Sequence, residues 1–333
     1  MGPPPALKPG IIPLRPLGMS EILNAAVAYI RANPKATLGL TTIVVVVAQV
    51  ISLLFEIGPL ASSGLLSPTS FEPSSDGADV GEFTGSSVVG LLLSGAAGTL
   101  TTVLAAIVLS GLLTVVVGRA VFGATIGVGE AWRRVRGRLL PLLGITALEA
   151  VGAIALIGVA VGVTVAVAQI VGGAAAFVVG VVLGLLVLAS LVYLYTVLSF
   201  APTLIVLERI GVMAAIKRSF ALIKNDFWRV FGIRFLAAVI AGVIAGAVTV
   251  PFSLVGQVML ALGESTSVKV VALVLITVGA AIGQIITAPF DAGVVVLLYA
   301  DRRIRAEAFD LVLRTGATGM VGTTDDLWLT QPR

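Results

Sequence analysis

Two carboxylic acids, Glu149 and Asp291, lie in the middle of long apolar stretches of the chain. Ionisable side chains at membrane depth cost energy and often bind a proton, a cation or a polar substrate. Counted along a helix from Arg138 and Asp301, the nearest charged residues, each acid lies about 15 Å into its stretch. The matching depths predict a polar, proton-linked cavity formed by both acids.

Polar side chains accompany Asp291 at helical spacing. Thr277, Gln284 and Asp291 are seven residues apart, and Thr287 falls near the same helical face. Pro289 predicts a kink beside the acid, which would free a backbone carbonyl group nearby. We therefore expect Asp291 to face the interior of a helix bundle.

The alternative role for both acids is structural. We expect no Lys, Arg or His at their depth, and we expect Arg234 to stay close to the membrane surface. A carboxyl group without a cation takes up a proton or faces water. Protonated Glu149 and Asp291 would then hydrogen-bond to Gln, Thr or Tyr side chains and hold the bundle together, so the sequence leaves both roles open.

The residue types present exclude several kinds of chemistry. The sequence has neither cysteine nor histidine, which excludes disulfides, thiol nucleophiles and the usual zinc sites. Acids at positions 301, 307 and 310 alternate with arginines at 302, 303 and 305, a spacing that indicates ion pairs on a helix surface rather than a metal site. The sequence predicts no catalytic residue, no metal site, no cofactor and no enzymatic activity.

The elements that carry these residues are predicted to be membrane-spanning helices. Apolar residues make up 58% of the 333 residues and charged residues 11%, a balance that suits lipid-facing helices. Residues 139–201 hold a single charge and border basic segments at both ends, so they must fold back once, near residues 169–173. We predict an all-α polytopic membrane bundle of six transmembrane helices. The spans are residues 37–57, 88–118, two within 139–201, 230–256 and 270–300, with a short turn at 263–267.

Lysine and arginine are confined to four segments. Of the 21 such residues, 20 fall in residues 1–36, 118–140, 202–234 and 301–333. Cytoplasmic loops of membrane proteins carry an excess of Lys and Arg, so we expect these segments and both termini to lie in the cytoplasm. The net charge of +4 indicates attraction to the anionic lipids of the inner leaflet. It requires no nucleic-acid partner.

Three short segments of helical period precede the first, third and fifth spans, at residues 20–33, 129–144 and 212–229. Each is too polar to cross the membrane and places basic residues opposite apolar ones, as interfacial amphipathic helices do. Their order predicts three pseudo-repeats of interfacial helix, span, outer turn and span. The residues expected at lipid headgroups are Arg133, Arg134, Arg136, Lys217, Arg218, Lys224 and Trp228.

The predicted membrane domain covers residues 19–313. Residues 1–18 form a proline-rich cytoplasmic tail that could dock a protein partner or serve as a linker, and residues 314–333 form a cytoplasmic C-terminal tail. Glycine pairs at four-residue spacing allow close packing inside one bundle or between two copies, so the oligomeric state stays open. These pairs are Gly158 with Gly162, Gly180 with Gly184, Gly242 with Gly246 and Gly279 with Gly283.

Residues 200–234, FAPTLIVLERIGVMAAIKRSFALIKNDFWRVFGIR, resemble a bacterial family of membrane domains named after glycerophosphoryl diester phosphodiesterases. YADRRIRAEAFDLVL is similar to the closing stretch of that family, and IIPLRPLGMSEILNAAVAYIRANPKATLGL is similar to the opening of its actinobacterial, proline-tailed members. The resemblance implies a multi-pass protein of the bacterial plasma membrane. It implies no phosphodiesterase activity, because the catalytic barrel fused to such domains uses histidines, and this chain has none.

Two functions follow from these patterns. The first is a non-enzymatic scaffold or accessory factor in a lipid or cell-envelope process, because three basic amphipathic segments are present without catalytic groups. Its expected partners are membrane lipids, above all those of the anionic inner leaflet. The alternative is a small-molecule or lipid transporter that uses Glu149 and Asp291 as coupling acids.

Overall fold

The described part of the protein is built from α-helices. The computed structural model describes residues 15–62, 85–263, 265–309, 311, 328 and 329. Within these ranges there is no β-strand, which confirms the all-α prediction. The helices are α1 Met19–Ala32, α2 Pro34–Ser62, α3 Gly85–Val121, α4 Val128–Val135, α5 Leu139–Ile170, α6 Gly173–Val197, α7 Ala201–Leu207, α8 Val212–Ile223, α9 Phe227–Leu262 and α10 Thr266–Glu307, with a 3-10 helix at Arg136–Arg138.

Six helices in the described ranges are long and apolar enough to cross a membrane. The chain therefore has the features of a multi-pass membrane protein. The predicted reversal near residues 169–173 lies between α5 and α6, where Gly172 has φ +113°, a conformation that favours glycine. α9 ends at Leu262 and α10 begins at Thr266, so the last two residues of the predicted turn at 263–267 belong to α10.

A short helix precedes each of the long helices α2, α5 and α9, in the predicted order. The third of these, α8, ends at Ile223 rather than at 229, because the chain turns at residues 224–226 before α9 begins. The predicted fourth span also ends early. It stops at Val197, and a short break at 198–200 separates it from α7, which is almost wholly buried.

The chain divides into two compact units, each assembled from distant segments. Unit 1 comprises Met1–Tyr29, Ser110–Leu236 and Ala292–Arg333. Unit 2 comprises Ile30–Leu109 and Ala237–Asp291. Most of the arginines belong to unit 1, and we use the name basic end for its segments 119–138, 208–229 and 301–307.

Unit 2 is packed through glycines where α9 and α10 run antiparallel. A methyl group added at Gly279 would collide with the Phe252 side chain, and one added at Gly283 would meet Thr249. The Thr249 hydroxyl also donates to the Gly279 carbonyl oxygen at 3.3 Å. This close approach agrees with a packing role for the Gly279–Gly283 pair.

The other three glycine pairs do not show the same crowding. At Gly158, Gly162, Gly184, Gly242 and Gly246 an added methyl group would meet no atom within 4 Å. Only Gly180 of those pairs has a close neighbour, the Thr164 side chain at 3.1 Å. Within the described residues, close helix packing therefore explains both glycines of one pair, Gly279 with Gly283.

Several sequence predictions fall outside the described residues. They concern most of the proline-rich tail at 1–18, the acidic loop between α2 and α3, and most of the tail at 314–333.

Candidate functional site

The basic end holds its helices together through the buried carboxylate of Asp301. One oxygen of Asp301 accepts a hydrogen bond from the backbone amide of Leu17 at 2.7 Å. Arg305, one turn later on α10, donates to Asp301 at 3.0 Å, and Arg229 of α9 donates at 3.2 Å. Both arginines also donate to the Leu17 carbonyl oxygen. Asp301 is 0% exposed, so its charge is balanced by these two cations and by a backbone amide.

Arg302 ties the same turn of α10 to the end of α8. Its Nε donates to the Leu222 carbonyl oxygen at 3.0 Å, and its Nη1 pairs with the Asp226 carboxylate. The Leu222 carbonyl group belongs to the last turn of α8, where backbone acceptors lack helical partners. Arg302 therefore closes the C-terminus of α8 with a positive charge, which also suits the helix dipole.

A second buried carboxylate, Glu208, lies directly after α7. The Tyr299 hydroxyl donates to Glu208 Oε1 at 2.5 Å, and Arg218 Nε lies 2.6 Å from Glu208 Oε2. Arg303 lies 3.8 Å from the same carboxylate, and both arginines also pair with Glu307. Burial disfavours the charged form of Arg218, but Glu208 and Glu307 outweigh burial and raise its pKa. The Arg218 guanidinium group is therefore held as a cation inside the protein.

Trp328, near the end of the chain, is a packing residue of unit 1. Its ring is 2% exposed and lies 5.1 Å from Phe309 and 5.5 Å from Phe122 between ring centroids. The Trp328 carbonyl oxygen accepts a hydrogen bond from Arg303 at 3.1 Å. This part of the predicted C-terminal tail is thus integrated into the fold.

The residues predicted at lipid headgroups separate into two groups. Five of them are exposed, and Trp228 is 79% exposed. Arg134 and Arg218 are half-buried, since Arg134 pairs with Glu130 at 2.8 Å and Arg218 pairs with Glu208 and Glu307. Arg218 is thus an internal ion-pairing residue rather than an exposed contact for lipid. The exposed members are Arg133, Arg136, Lys217, Lys224 and Trp228.

Glu149 lies on the exposed surface of α5 in unit 1. Arg234 of α9 is near enough to attract it electrostatically. This acid thus has a cation within electrostatic range, whereas the sequence pattern predicts none at its depth. Arg234 also donates to the Tyr195 hydroxyl at 2.7 Å, and its guanidinium group lies 4.3 Å from the centre of that ring. A long arginine side chain extends further along a helix than a count of backbone positions indicates.

Asp291 is exposed as well, which contradicts the expected inward orientation. It belongs to unit 2, whereas Glu149 belongs to unit 1, so a shared cavity remains a prediction. Gln284, Thr277 and Thr287 are half-buried. Both threonine hydroxyls donate to carbonyl oxygens four residues earlier on α10, at 2.8 Å from Thr277 and 2.9 Å from Thr287. The buried face of α10 in this region is occupied by Gly279 and Gly283 instead.

The sequence pattern does not identify Glu208, and it predicts that the charged residues at 301–307 lie on a helix surface. Two of its ion pairs, Arg305 with Asp301 and Arg303 with Glu307, have the predicted one-turn spacing. The cluster is not a surface feature, however, because Asp301, Arg302 and Arg303 are buried. Among the described residues, no three acidic side chains come together in the way a metal site requires.

Comparison with known proteins identifies a family that matches this chain. Residues 17–301 match the family described as a domain of unknown function (DUF7847). No curated protein and no solved structure matches the chain significantly. The matched segment begins at Leu17 and ends at Asp301, the two residues joined by the buried hydrogen bond described above. Because the match covers most of the 333 residues, the chain belongs to this family.

Proposed function

We propose that this protein is a non-enzymatic scaffold or accessory factor in a lipid or cell-envelope process of the bacterial plasma membrane. The observation that supports the proposal is that some cations at the basic end pair with carboxylates, whereas others are exposed. Arg218, Arg229, Arg302, Arg303 and Arg305 each pair with a carboxylate of the same unit. The exposed cations and Trp228 remain available on a surface that these pairs hold in place.

Such a surface is suited to anionic lipid headgroups. Basic residues near a membrane each contribute about 1 kcal/mol of attraction to an anionic leaflet. Tryptophan favours the headgroup region, where its ring and its N–H group are both accommodated. In this proposal the basic end lies in the cytoplasm, and the part of the proline-rich tail before Arg15 reaches a protein partner, since Leu17 is buried in the fold.

Charge neutralisation tests the lipid contact. In R133Q/R136Q/K217Q/K224Q, we expect the purified protein to lose its enrichment for phosphatidylglycerol over phosphatidylethanolamine, measured by mass spectrometry of co-purified lipids. The control R133K/R136K/K217R/K224R keeps every charge and should keep the enrichment. Equal enrichment in wild type and the neutralised variant would contradict the proposal.

The absence of cysteine makes the orientation directly testable. A single cysteine at Lys217 should react with an impermeant maleimide in inverted vesicles and not in intact cells, and a cysteine at Ser74 should show the opposite. Reversed labelling would place the basic end outside the cytoplasm and contradict the orientation.

The partner role of the proline-rich tail needs a deletion that spares the fold. Removal of residues 314–333 would also remove the buried Trp328, so the informative deletion is residues 1–14. We expect a partner that is cross-linked to the full chain in cells to be lost from this variant, while thermal stability is retained. The resemblance of residues 200–234 to phosphodiesterase-associated membrane domains remains a prediction and carries no activity to this chain.

A further inference from the structure

A cavity of about 270 Å³ lies within unit 1. Its wall includes four arginines, which are Arg119 on α3, Arg134 on α4, Arg138 in the 3-10 helix and Arg209 after α7, and also Trp328. Cavities of about 300–1,000 Å³ hold organic ligands, so this volume suits a small group. The arginines concentrate positive charge in this wall.

The four guanidinium groups differ in their partners. Glu130 lies 3.0 Å from Arg119 and 2.8 Å from Arg134, so these two cations share a carboxylate. Within the part of the chain that the structure describes, Arg138 and Arg209 pair with no carboxylate. Arg119 and Arg209 each repel the charge of Arg134. Like charges held close together create a positive potential that favours a bound anion.

The backbone at Arg209 is unusual for an arginine. Its φ of +57° is in the left-handed region, which side-chain-bearing residues adopt at an energetic cost. Such conformations are concentrated at ligand sites, where a side chain must be placed in spite of the strain. In this chain the strained residue contributes one of the two arginines without a carboxylate partner.

We propose that this cavity binds a phosphomonoester group, carried either by a lipid headgroup or by a soluble phosphate compound. Arginine guanidinium groups bind phosphate oxygens through two parallel hydrogen bonds. A phosphomonoester carries a charge of about −1.5 to −2 near pH 7 and matches the two unpaired cations, whereas a phosphodiester carries about −1. Binding of a lipid phosphomonoester rests on the proposed function above, which places the basic end at lipid headgroups. Binding of a soluble phosphate compound does not depend on that function.

Trp328 in the cavity wall provides the reporter. The chain has three tryptophans, and Trp132 and Trp228 are exposed, so W132F/W228F leaves Trp328 as the single indole. The full chain in this background is placed in phosphatidylcholine nanodiscs. One set contains phosphatidic acid, a matched set contains phosphatidylglycerol, and a third, without anionic lipid, is titrated with glycerol 3-phosphate at constant ionic strength.

A saturable change of Trp328 emission with phosphatidic acid alone supports a lipid source. A saturable change with glycerol 3-phosphate supports a soluble source. In either case R138Q and R209G should each raise the apparent Kd of the phosphomonoester, taken from the Trp328 emission change, about tenfold or more. R209G should also raise thermal stability, because glycine accepts the backbone conformation without strain, so a lost response cannot be attributed to unfolding.

The matched control is R31Q/K35Q, which removes two exposed cations that lie outside the basic end and do not line the cavity. This variant should keep the Trp328 response. No saturable response to either phosphomonoester, an equal response to phosphatidylglycerol, or an equal loss in R31Q/K35Q would overturn the proposal. Failure of the lipid-enrichment test with an intact Trp328 response would remove the proposed function and leave the cavity assignment standing.

Discussion

Unit 1 and unit 2 are stabilised by different means. At the basic end of unit 1, Asp301 and Glu208 are buried among guanidinium groups, a backbone amide and a tyrosine hydroxyl. In unit 2, the α9–α10 pair is held by the close approach of Gly279 and Gly283 to side chains of α9. Buried ion pairs hold the first region together, and close helix packing at glycines holds the second.

The difference shows which charges a membrane protein can bury. Asp301 and Glu208 are buried because partners from several segments surround them. Glu149 and Asp291, the acids of the long apolar stretches, are exposed on their helices. A charged side chain is buried only where several neighbours stabilise it, because the desolvation free energy of a carboxylate exceeds the stabilisation from a single contact.

The largest expected effect is at Asp301. In D301N, Arg229 and Arg305 lose the buried negative charge that balances them, and we expect the free energy of unfolding to fall by about 3–5 kcal/mol. Unfolding with SDS in mixed micelles measures the change. The control E307Q, at a half-buried carboxylate, should cost about 1 kcal/mol or less. Equal effects would mean that burial does not distinguish the two acids.

The Glu208 cluster should show the next largest effect. Y299F removes the hydroxyl that donates to Glu208 and leaves the ring in place, and we expect a loss of about 1.5–3 kcal/mol because the acceptor is charged and buried. The same unfolding assay applies. Y195F, which removes a hydroxyl bonded to Arg234 at an exposed position, should cost less. A larger loss in Y195F would break the comparison.

Unit 2 offers a test without charges. In G279A the new methyl group meets the Phe252 side chain, and we expect destabilisation of about 1–2 kcal/mol from overpacking. G242A, on the facing helix but with open space around the added group, should leave stability unchanged or slightly higher. If both variants behave alike, the glycine contact does not hold the two helices together.

The smallest effects are expected at the exposed acids. E149Q and D291N should each change the free energy of unfolding by about 0.5 kcal/mol or less. A double-mutant cycle of E149Q with R234Q should give a coupling of about 0.2–1 kcal/mol, as for an exposed ion pair. A loss above about 2 kcal/mol in D291N would restore it as a buried structural acid. Loss of pH-dependent uptake or export in either single variant would favour the transporter alternative.

Sequence patterns predicted the architecture well because they depend on local properties. Length and apolarity located six spanning helices, and Gly172 marked the reversal between α5 and α6. Basic amphipathic segments located the helices before α2, α5 and α9. The same patterns failed for the orientation of Asp291, because heptad spacing groups polar residues on one face without identifying the face that neighbouring helices cover.

The sequence by itself determined that this chain is a helical membrane protein with its cations gathered in four segments, since hydropathy and charge are properties of each segment alone. Only the tertiary structure decided which of those charges are internal. Asp301 meets the amide of Leu17, 284 positions away, and Arg303 meets Trp328 beyond the last long helix. The arginine-lined cavity likewise combines residues from α3, α4, the 3-10 helix, the segment after α7 and the C-terminal region. Such encounters depend on how helices pack, and no local pattern in the sequence encodes them.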